Sequence, residues 1–399
     1  MDSVCANCVV EPDLTSFIEN AAGEPGCDFC GQEDAATCSL RDLVFHIREC
    51  IEQEFTWAAN SLSWESASGG WIGAKVWDTR DLLTDVLGVD LPRDQSGKLL
   101  DSLLEGLGGL QDWCDRNPYG MDTLDELNVG WASFCSIVQH HTRFFLDRWK
   151  APRRIYRWDE PLTPQGVLSA IGDRINRLEL IREVTTDVPV FRVRFCEHGE
   201  DLRTPEQLGP PSHSQAIISN RMSPPGIVMF YGALNPETAL AETVREPGKY
   251  AIGQWRVRRP TWMFDFSNLP NIPGFFAEIP DSQMWSWRDA QFFHDLIKDF
   301  SRPIARDDRV HIEYIPTQVV TEYCRLAYHE EHKSGSLGGI IYPSARSRRE
   351  ALVLFADRSA VLGIDASTPS DATWLELVDV EYRQLTERDI LTFQAVEGR

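Results

Sequence analysis

Four cysteines near the N-terminus constrain this chain more than any other feature: Cys5-x2-Cys8, an 18-residue gap, then Cys27-x2-Cys30. Two Cys-x2-Cys turns at such a spacing set four thiolates at the corners of a tetrahedron, the arrangement of a structural zinc site. Gly31, directly after the second pair, suits the tight turn that a knuckle needs. With four sulfur ligands and no open position, the site is predicted to hold a structural Zn2+ through Cys5, Cys8, Cys27 and Cys30. The plain alternative is four scattered reduced thiols. Cys38 and Cys50 fall on the next helical stretch and read as core thiols. The start MDSVCANCVVEPDL has neither a basic nor an apolar leader region, so the protein is expected to stay in the cytoplasm, where a disulfide framework does not persist.

At roughly 100–200 residues per domain, 399 residues suggest two or three domains. The chain carries 39 Lys/Arg against 61 Asp/Glu, a net charge of −22. Residues 1–150 hold 10 of the basic and 26 of the acidic residues (−16), which leaves −6 for the rest. Nucleic-acid binding draws on cations that neutralise phosphates, so the balance argues against it, above all in the first half. No run of 18 apolar residues exists, which excludes a membrane-spanning helix by hydropathy.

Helical periodicity marks Leu40–Glu54, with Ser39 as its N-cap, then Asp78–Leu87, Lys98–Leu107 and Leu127–Trp149. No convincing strand alternation precedes residue 150. Residues 1–150 are therefore predicted to form a helical domain with a zinc knuckle. Residues 151–185 read as a connector, with Pro152 and Pro161 near its start and helix-like material at Leu168–Glu183. Residues 186–399 read as an α+β domain with a C-terminal extension. Strands are expected at Val188–Phe195, Gly226–Ala233, Tyr250–Val257, Val310–Tyr314, Gly339–Tyr342 and Leu352–Phe355, and helices at Pro236–Arg245, Arg288–Ile297 and Gln318–Glu331. The fold class is α+β.

Three places in the second half set polar groups against an apolar background. In FRVRF, Arg192 and Arg194 share one face of a strand; a charge on an inward face is costly unless it meets an anion, and otherwise both face solvent. In GIVMFYGALNPETALAETVRE, Asn235 can cap a helix, Pro236 fits its first turn and Glu237 suits its positive end. Glu242 sits mid-helix with Thr238 and Ala239 one turn before it, so a small-residue face allows close approach to a sheet and encloses the carboxylate; the alternative is a solvated helix residue. In GGIIYPSAR a buried strand ends in Tyr342-Pro343, and Ser344 emerges at the turn. It lacks the G-x-S-x-G context of a hydrolase elbow, which favours a hydrogen-bonding serine over a nucleophile.

Taken in order, these landmarks over residues 188–360 resemble the RES domain, named for its Arg, Glu and Ser, and the zinc-bearing half is similar to the HEPN-type N-terminal domain fused to some RES domains. The resemblance implies an ADP-ribosyltransferase-like split sheet around an NAD cleft, and a bacterial NAD-degrading toxin, of a kind often neutralised by an antitoxin. It implies Arg192, Glu242 and Ser344 as catalytic residues. Arg221 of NRMSPPG matches the Arg of a family segment whose Trp is replaced here by Met222, and Tyr231 matches the aromatic before the helix. Arg221, Tyr231, Arg194 and Tyr342 are grouped as substrate-binding, and either Arg192 or Arg194 can take the phosphates. NAD enters as substrate: guanidinium groups suit its pyrophosphate, and a carboxylate suits the positive charge that develops on the ribose when nicotinamide leaves. The acceptor is water, phosphate or a protein side chain. A homodimer and a regulatory partner are further expectations. The rival readings are protein ADP-ribosylation, a non-catalytic nucleotide-binding module, and a HEPN-type RNase built on Arg41-x4-His46.

Overall fold

In a computed structural model of the protein, the described residues are 2–21, 23–94, 96–119, 123–149, 162–278, 287–301, 309–332, 337–362 and 373–394. They divide into two compact units. The first is built on Met1–Glu126 and takes in Asn271–Arg288; the second comprises Leu127–Pro152, Pro161–Pro270 and Asp289–Arg399. In chain order the first unit passes to the second at Glu126–Leu127. Residues 151–161 of the expected connector lie outside the described residues.

The first unit packs helices α1 (Pro12–Asn20), α2 (Leu40–Glu54) and α3 (Lys98–Gly106) around Leu14, Ile18, Leu43, Ile47, Ile51, Leu99 and Leu103. These apolar residues recur every three or four positions, so each helix buries one stripe. The Ser39 hydroxyl caps α2 by accepting from the Asp42 N–H at 3.1 Å. The expected wholly helical first half is corrected by seven short strands. Ser3–Cys5 pairs with Thr37–Ser39, Asp112–Asp115 lies between Phe55–Trp57 and Val76–Asp78, and Ser63–Glu65 pairs with Gly70–Ile72. Strands of three or four residues are too short to display a period of two. Cross-strand tryptophans identify them instead: Trp57 lies opposite Trp113, and Trp64 opposite Trp71 with ring centroids 5.1 Å apart. The predicted helix Asp78–Leu87 is present as an α-helical turn, Thr79–Asp81, capped by Asp78 and continuing into a π-helical turn, Leu82–Val86.

In the second unit, helix α4 (Thr123–His140) stops short of the predicted Trp149, leaving Phe144 exposed beyond it. Helix α5 (Pro164–Arg177), capped by Thr163, covers part of the predicted Leu168–Glu183 helix; the rest of that stretch is a strand. Nine strands form one mixed sheet: β1 (Ile181–Val184), β2 (Pro189–Phe195), β3 (Phe230–Ala233), β4 (Gly248–Val257), β5 (Thr261–Asp265), β6 (Gly339–Pro343), β7 (Glu350–Leu354), β8 (Val361–Leu362) and β9 (Leu375–Leu385). Their spatial order is β8-β9-β4-β2-β3-β7-β6-β5-β1. Strands β5 and β6 run parallel, as do β8 and β9, and the other pairs are antiparallel. The predicted strand Val310–Tyr314 is a helical turn, Val310–Glu313. Its apolar-polar alternation is too brief to separate the two periods, and Pro316 then opens helix α8 (Ile315–Leu326). Helix α7 (Trp287–Ser301) contains the predicted Arg288–Ile297.

Helix α6 (Pro236–Thr243) starts as expected: the Asn235 side chain accepts from the Thr238 N–H at 2.8 Å, and Pro236 occupies the first turn. Its Ala239 and Leu240 pack on Val193, Tyr250 and Ile252. The opposite sheet face carries Val190, Phe230, Trp255 and Leu377. One irregularity governs the site. Strand β2 pairs with β4 along its whole length, but with β3 only at Ala233↔Phe191. The two strands part beyond that pair. Among the described residues, no helix is long and apolar enough to cross a membrane.

Candidate active site

Arg192 lies where β2 and β3 part. Alternation sets it on the face of Val190, and its guanidinium stands over the Phe230 ring, 5.1 Å from the centroid. Its Nη1 donates to the Tyr231 carbonyl at 3.0 Å, while the buried Nε has no partner. Burial, with Arg194 as a neighbouring cation, lowers its pKa to about 10, so the group stays charged at neutral pH. A half-buried, half-satisfied cation of this kind is complementary to an anion. Arg192 and Tyr231 line a cavity of about 280 Å³ together with Gln215, Ala216, Ile218 and Asn220. The Tyr231 hydroxyl is 2.8 Å from Ser223 Oγ, and burial raises its pKa to about 12. Gly232, between Tyr231 and Ala233, is required by space: a Cβ there would lie 2.8 Å from the Phe191 carbonyl oxygen. Arg194 is exposed, donates to the Gln207 carbonyl at 2.7 Å, and is absent from the cavity wall.

Glu242 and Ser344 meet across 102 residues of sequence: the Ser344 hydroxyl donates to Glu242 Oε1. Ser344 is fully buried and also accepts from the backbone N–H groups of Arg346 (3.2 Å) and Ser347 (3.1 Å). Its donor and both acceptor positions are therefore occupied. Glu242 is half-buried on α6. Tyr342, on β6, lies within electrostatic reach of Glu242, Tyr231 and Arg221. Burial holds its pKa well above the usual phenol value, the Glu242 and Tyr231 charges push the same way, and Arg221 pulls it down. Arg221 donates from Nη1 to the Asp299 carbonyl at 2.8 Å and lies over the Tyr314 ring at 5.1 Å. Met222 beside it is fully buried. The second unit thus sets Arg192 and Tyr231 on one cavity wall and Glu242 against Ser344, with Tyr342 in electrostatic reach of Glu242, Tyr231 and Arg221, and leaves Arg194 off that wall.

In the first unit, the Cys5 Sγ is 3.7 Å from that of Cys8 and 3.6 Å from that of Cys30, and Cys8 is 3.7 Å from Cys27. All four sulfurs lie within 4.8 Å of one another. A tetrahedron of ~2.3 Å Zn–S bonds has edges of about 3.8 Å, so the donor set and its spacing fit Zn2+. Gly31 has φ +73°, as the knuckle turn requires. Burial raises the Cys5 and Cys8 pKa values; at Cys30 the Gln32 N–H and the neighbouring thiols outweigh burial and bring it down to about 7. Cys38 and Cys50 are buried, with thiols pushed up to about 12. Arg41 and His46 do not converge. Arg41 lines an 850 Å³ groove with Phe45 and Arg48, whereas His46 is buried, stacked on Phe17 at 4.2 Å, with Nε2 2.8 Å from the Phe276 carbonyl.

Comparison with known protein families matches residues 20–152 to the HEPN/RES N-terminal domain 1 and residues 189–375 to the RES domain. The chain is a RES-domain protein with a HEPN/RES N-terminal domain. No curated protein and no solved structure matches it. Within the RES domain, residue patterns alone missed several contributors: Ser223 on the Tyr231 hydroxyl, Tyr314 under Arg221, the wall residues Gln215 and Asn220, and Arg346. Arg346 carried one signal, its place two residues after Ser344 in a turn already singled out. The others lie in loops or on elements whose approach depends on the tertiary fold.

Proposed function

We propose that this RES-domain protein is a toxin-like enzyme that degrades NAD, cleaving the nicotinamide–ribose bond with water or phosphate as acceptor. The observation that carries the reading is the Glu242 carboxylate, hydrogen-bonded by the buried Ser344 and within electrostatic reach of Tyr342. As the C–N bond breaks, its electron pair leaves with neutral nicotinamide and the ribose takes on oxocarbenium character. A fixed carboxylate stabilises that charge. Oε1 of Glu242 is taken by Ser344, and Oε2 is the oxygen assigned to a ribose hydroxyl. Ser344 is assigned to orienting Glu242, since its own hydrogen-bonding capacity is full. Arg192 takes the pyrophosphate, with Arg221 nearby, and Tyr231 and Tyr342 remain neutral phenols that can stack on or donate to the substrate. The cavity is below the ~300–1,000 Å³ of a complete small-molecule pocket, so it suits part of a dinucleotide.

The cysteine cluster would hold Zn2+ in a purely structural role, and the first unit is assigned to regulation or to interaction with an antitoxin or a second copy. The burial of His46 weighs against the RNase reading. The test is nicotinamide release from NAD by the parent protein beside Glu242→Gln. The variant should be slower by about 10²–10³-fold, the usual effect of removing one transition-state-stabilising group. A silent parent, or a variant as fast as the parent, would make us withdraw the reading. Labelled ADP-ribose appearing in protein would favour protein modification instead.

A further inference from the structure

Nothing so far explains what keeps Glu242 in register with Ser344. Helix α6 is only eight residues long and has no basic residue in its last turn. Its last carbonyls are satisfied from outside the helix. Arg245, on the same stretch of chain, donates to the carbonyls of Val244 and Glu242, both at 2.8 Å. Arg346 is different. Its Nη1 donates to the Ala241 carbonyl at 3.0 Å and the Val244 carbonyl at 3.4 Å, spanning more than 100 residues of sequence. Its own backbone N–H donates to the Ser344 hydroxyl. One residue therefore grips the end of the helix that carries the carboxylate and the serine that orients it. A cation at a helix C-terminus is also favoured by the macrodipole.

The turn is clasped to the same helix again at its other end, where Ser347 Oγ lies 3.0 Å from the buried Thr238 Oγ1. At its base, Arg182 pairs with Glu350 and, at 3.1 Å, with Asp265. We infer that Arg346 is a positioning residue for Glu242: it locks α6 to the β6–β7 turn so that the carboxylate is held against Ser344. This inference rests on the NAD-cleaving reading, in which Glu242 touches the substrate and Arg346 does not.

The test compares NAD turnover by the full-length parent, Arg346→Gln, Arg346→Lys and Ser347→Ala, each with its melting temperature. Misplacing a reacting group by an ångström lowers rate by about 10²-fold, so Arg346→Gln should lose about 10- to 100-fold in kcat with KM within about twofold. Arg346→Lys, which keeps one cationic donor, should recover part of that loss, and Ser347→Ala should fall between it and the parent. If Arg346→Gln fails to fold, Arg346→Lys and Ser347→Ala decide the matter by the same kcat-against-KM split. Parent-like kcat in the folded variants overturns the inference, and so does an effect confined to KM, which would make Arg346 a substrate contact. A parent that does not consume NAD overturns the reading beneath it, an outcome visible before any variant is compared.

Discussion

The cysteine cluster and the Arg192–Glu242 site are opposite ways of burying polar groups. In the first, four thiols lie within hydrogen-bonding distance of one another in a closed set whose edges match a single ion. In the second, Arg192 is half-buried with its enclosed Nε unpartnered, facing a cavity. A closed set contributes to folding once its ion is bound. An open one is a standing cost to the fold, offset elsewhere, and it is repaid only when a ligand arrives. The contrast points to the polar group the fold leaves unfinished and not to groove volume: in the 850 Å³ groove around Phe45, the polar wall residues Arg41, Asp42 and Arg48 are exposed or half-exposed.

Metal removal, Arg192→Met and Gly232→Ala each put this contrast to the test. The largest effect is expected from metal removal. Structural zinc contributes on the order of 10 kcal/mol to folding in small metal-stapled modules, so stripping the metal with chelator, or Cys27→Ser, should abolish the melting transition of the first unit. Metal analysis of the parent should find about one zinc per chain; a metal-free protein that melts like the parent would refute the closed-set view. Next comes Arg192→Met. Losing the guanidinium should raise KM for NAD by about 10- to 100-fold, as expected for a charge-assisted contact of ~1.5–3 kcal/mol. Removing a desolvated cation should at the same time leave thermal stability unchanged or higher. A variant that melts much earlier would place Arg192 among structural groups. The smallest effect is Gly232→Ala. Its new Cβ, 2.8 Å from the Phe191 carbonyl oxygen and 3.0 Å from the Phe230 ring, should cost about 1–3 kcal/mol in denaturant unfolding.

The two regions also differ in how far sequence alone reveals them. Cys5, Cys8, Cys27 and Cys30 are legible because their ligand geometry is written as local spacing, two short turns brought together by one loop. The helix carrying Glu242 was equally readable from Asn235 and Pro236. The Glu242–Ser344 contact was not, because a hydrogen bond across 102 residues leaves no periodic trace; only the resemblance to RES domains grouped the two. Arg192 and Arg194 were indistinguishable by alternation, and the parting of β2 from β3 separates them. The strands at Trp57, Trp64 and Trp113 are too brief to show a period of two, and β5 and β9 lie in a half crowded with apolar segments.

The lone Ala233–Phe191 pair gives the nine-stranded sheet a seam. On one side lie β8, β9, β4 and β2, and on the other β3, β7, β6, β5 and β1. Arg192 projects from one half, whereas Tyr231, Tyr342 and Ser344 belong to the other. Helix α6 follows β3 in the chain, packs mainly on β2 across the seam, and also meets β3 and β7. It is a splint laid across the break. A molecule seated in the seam would therefore touch both halves of the sheet, and the opening that admits it is also the place where the sheet has least of its own backbone bonding to lose.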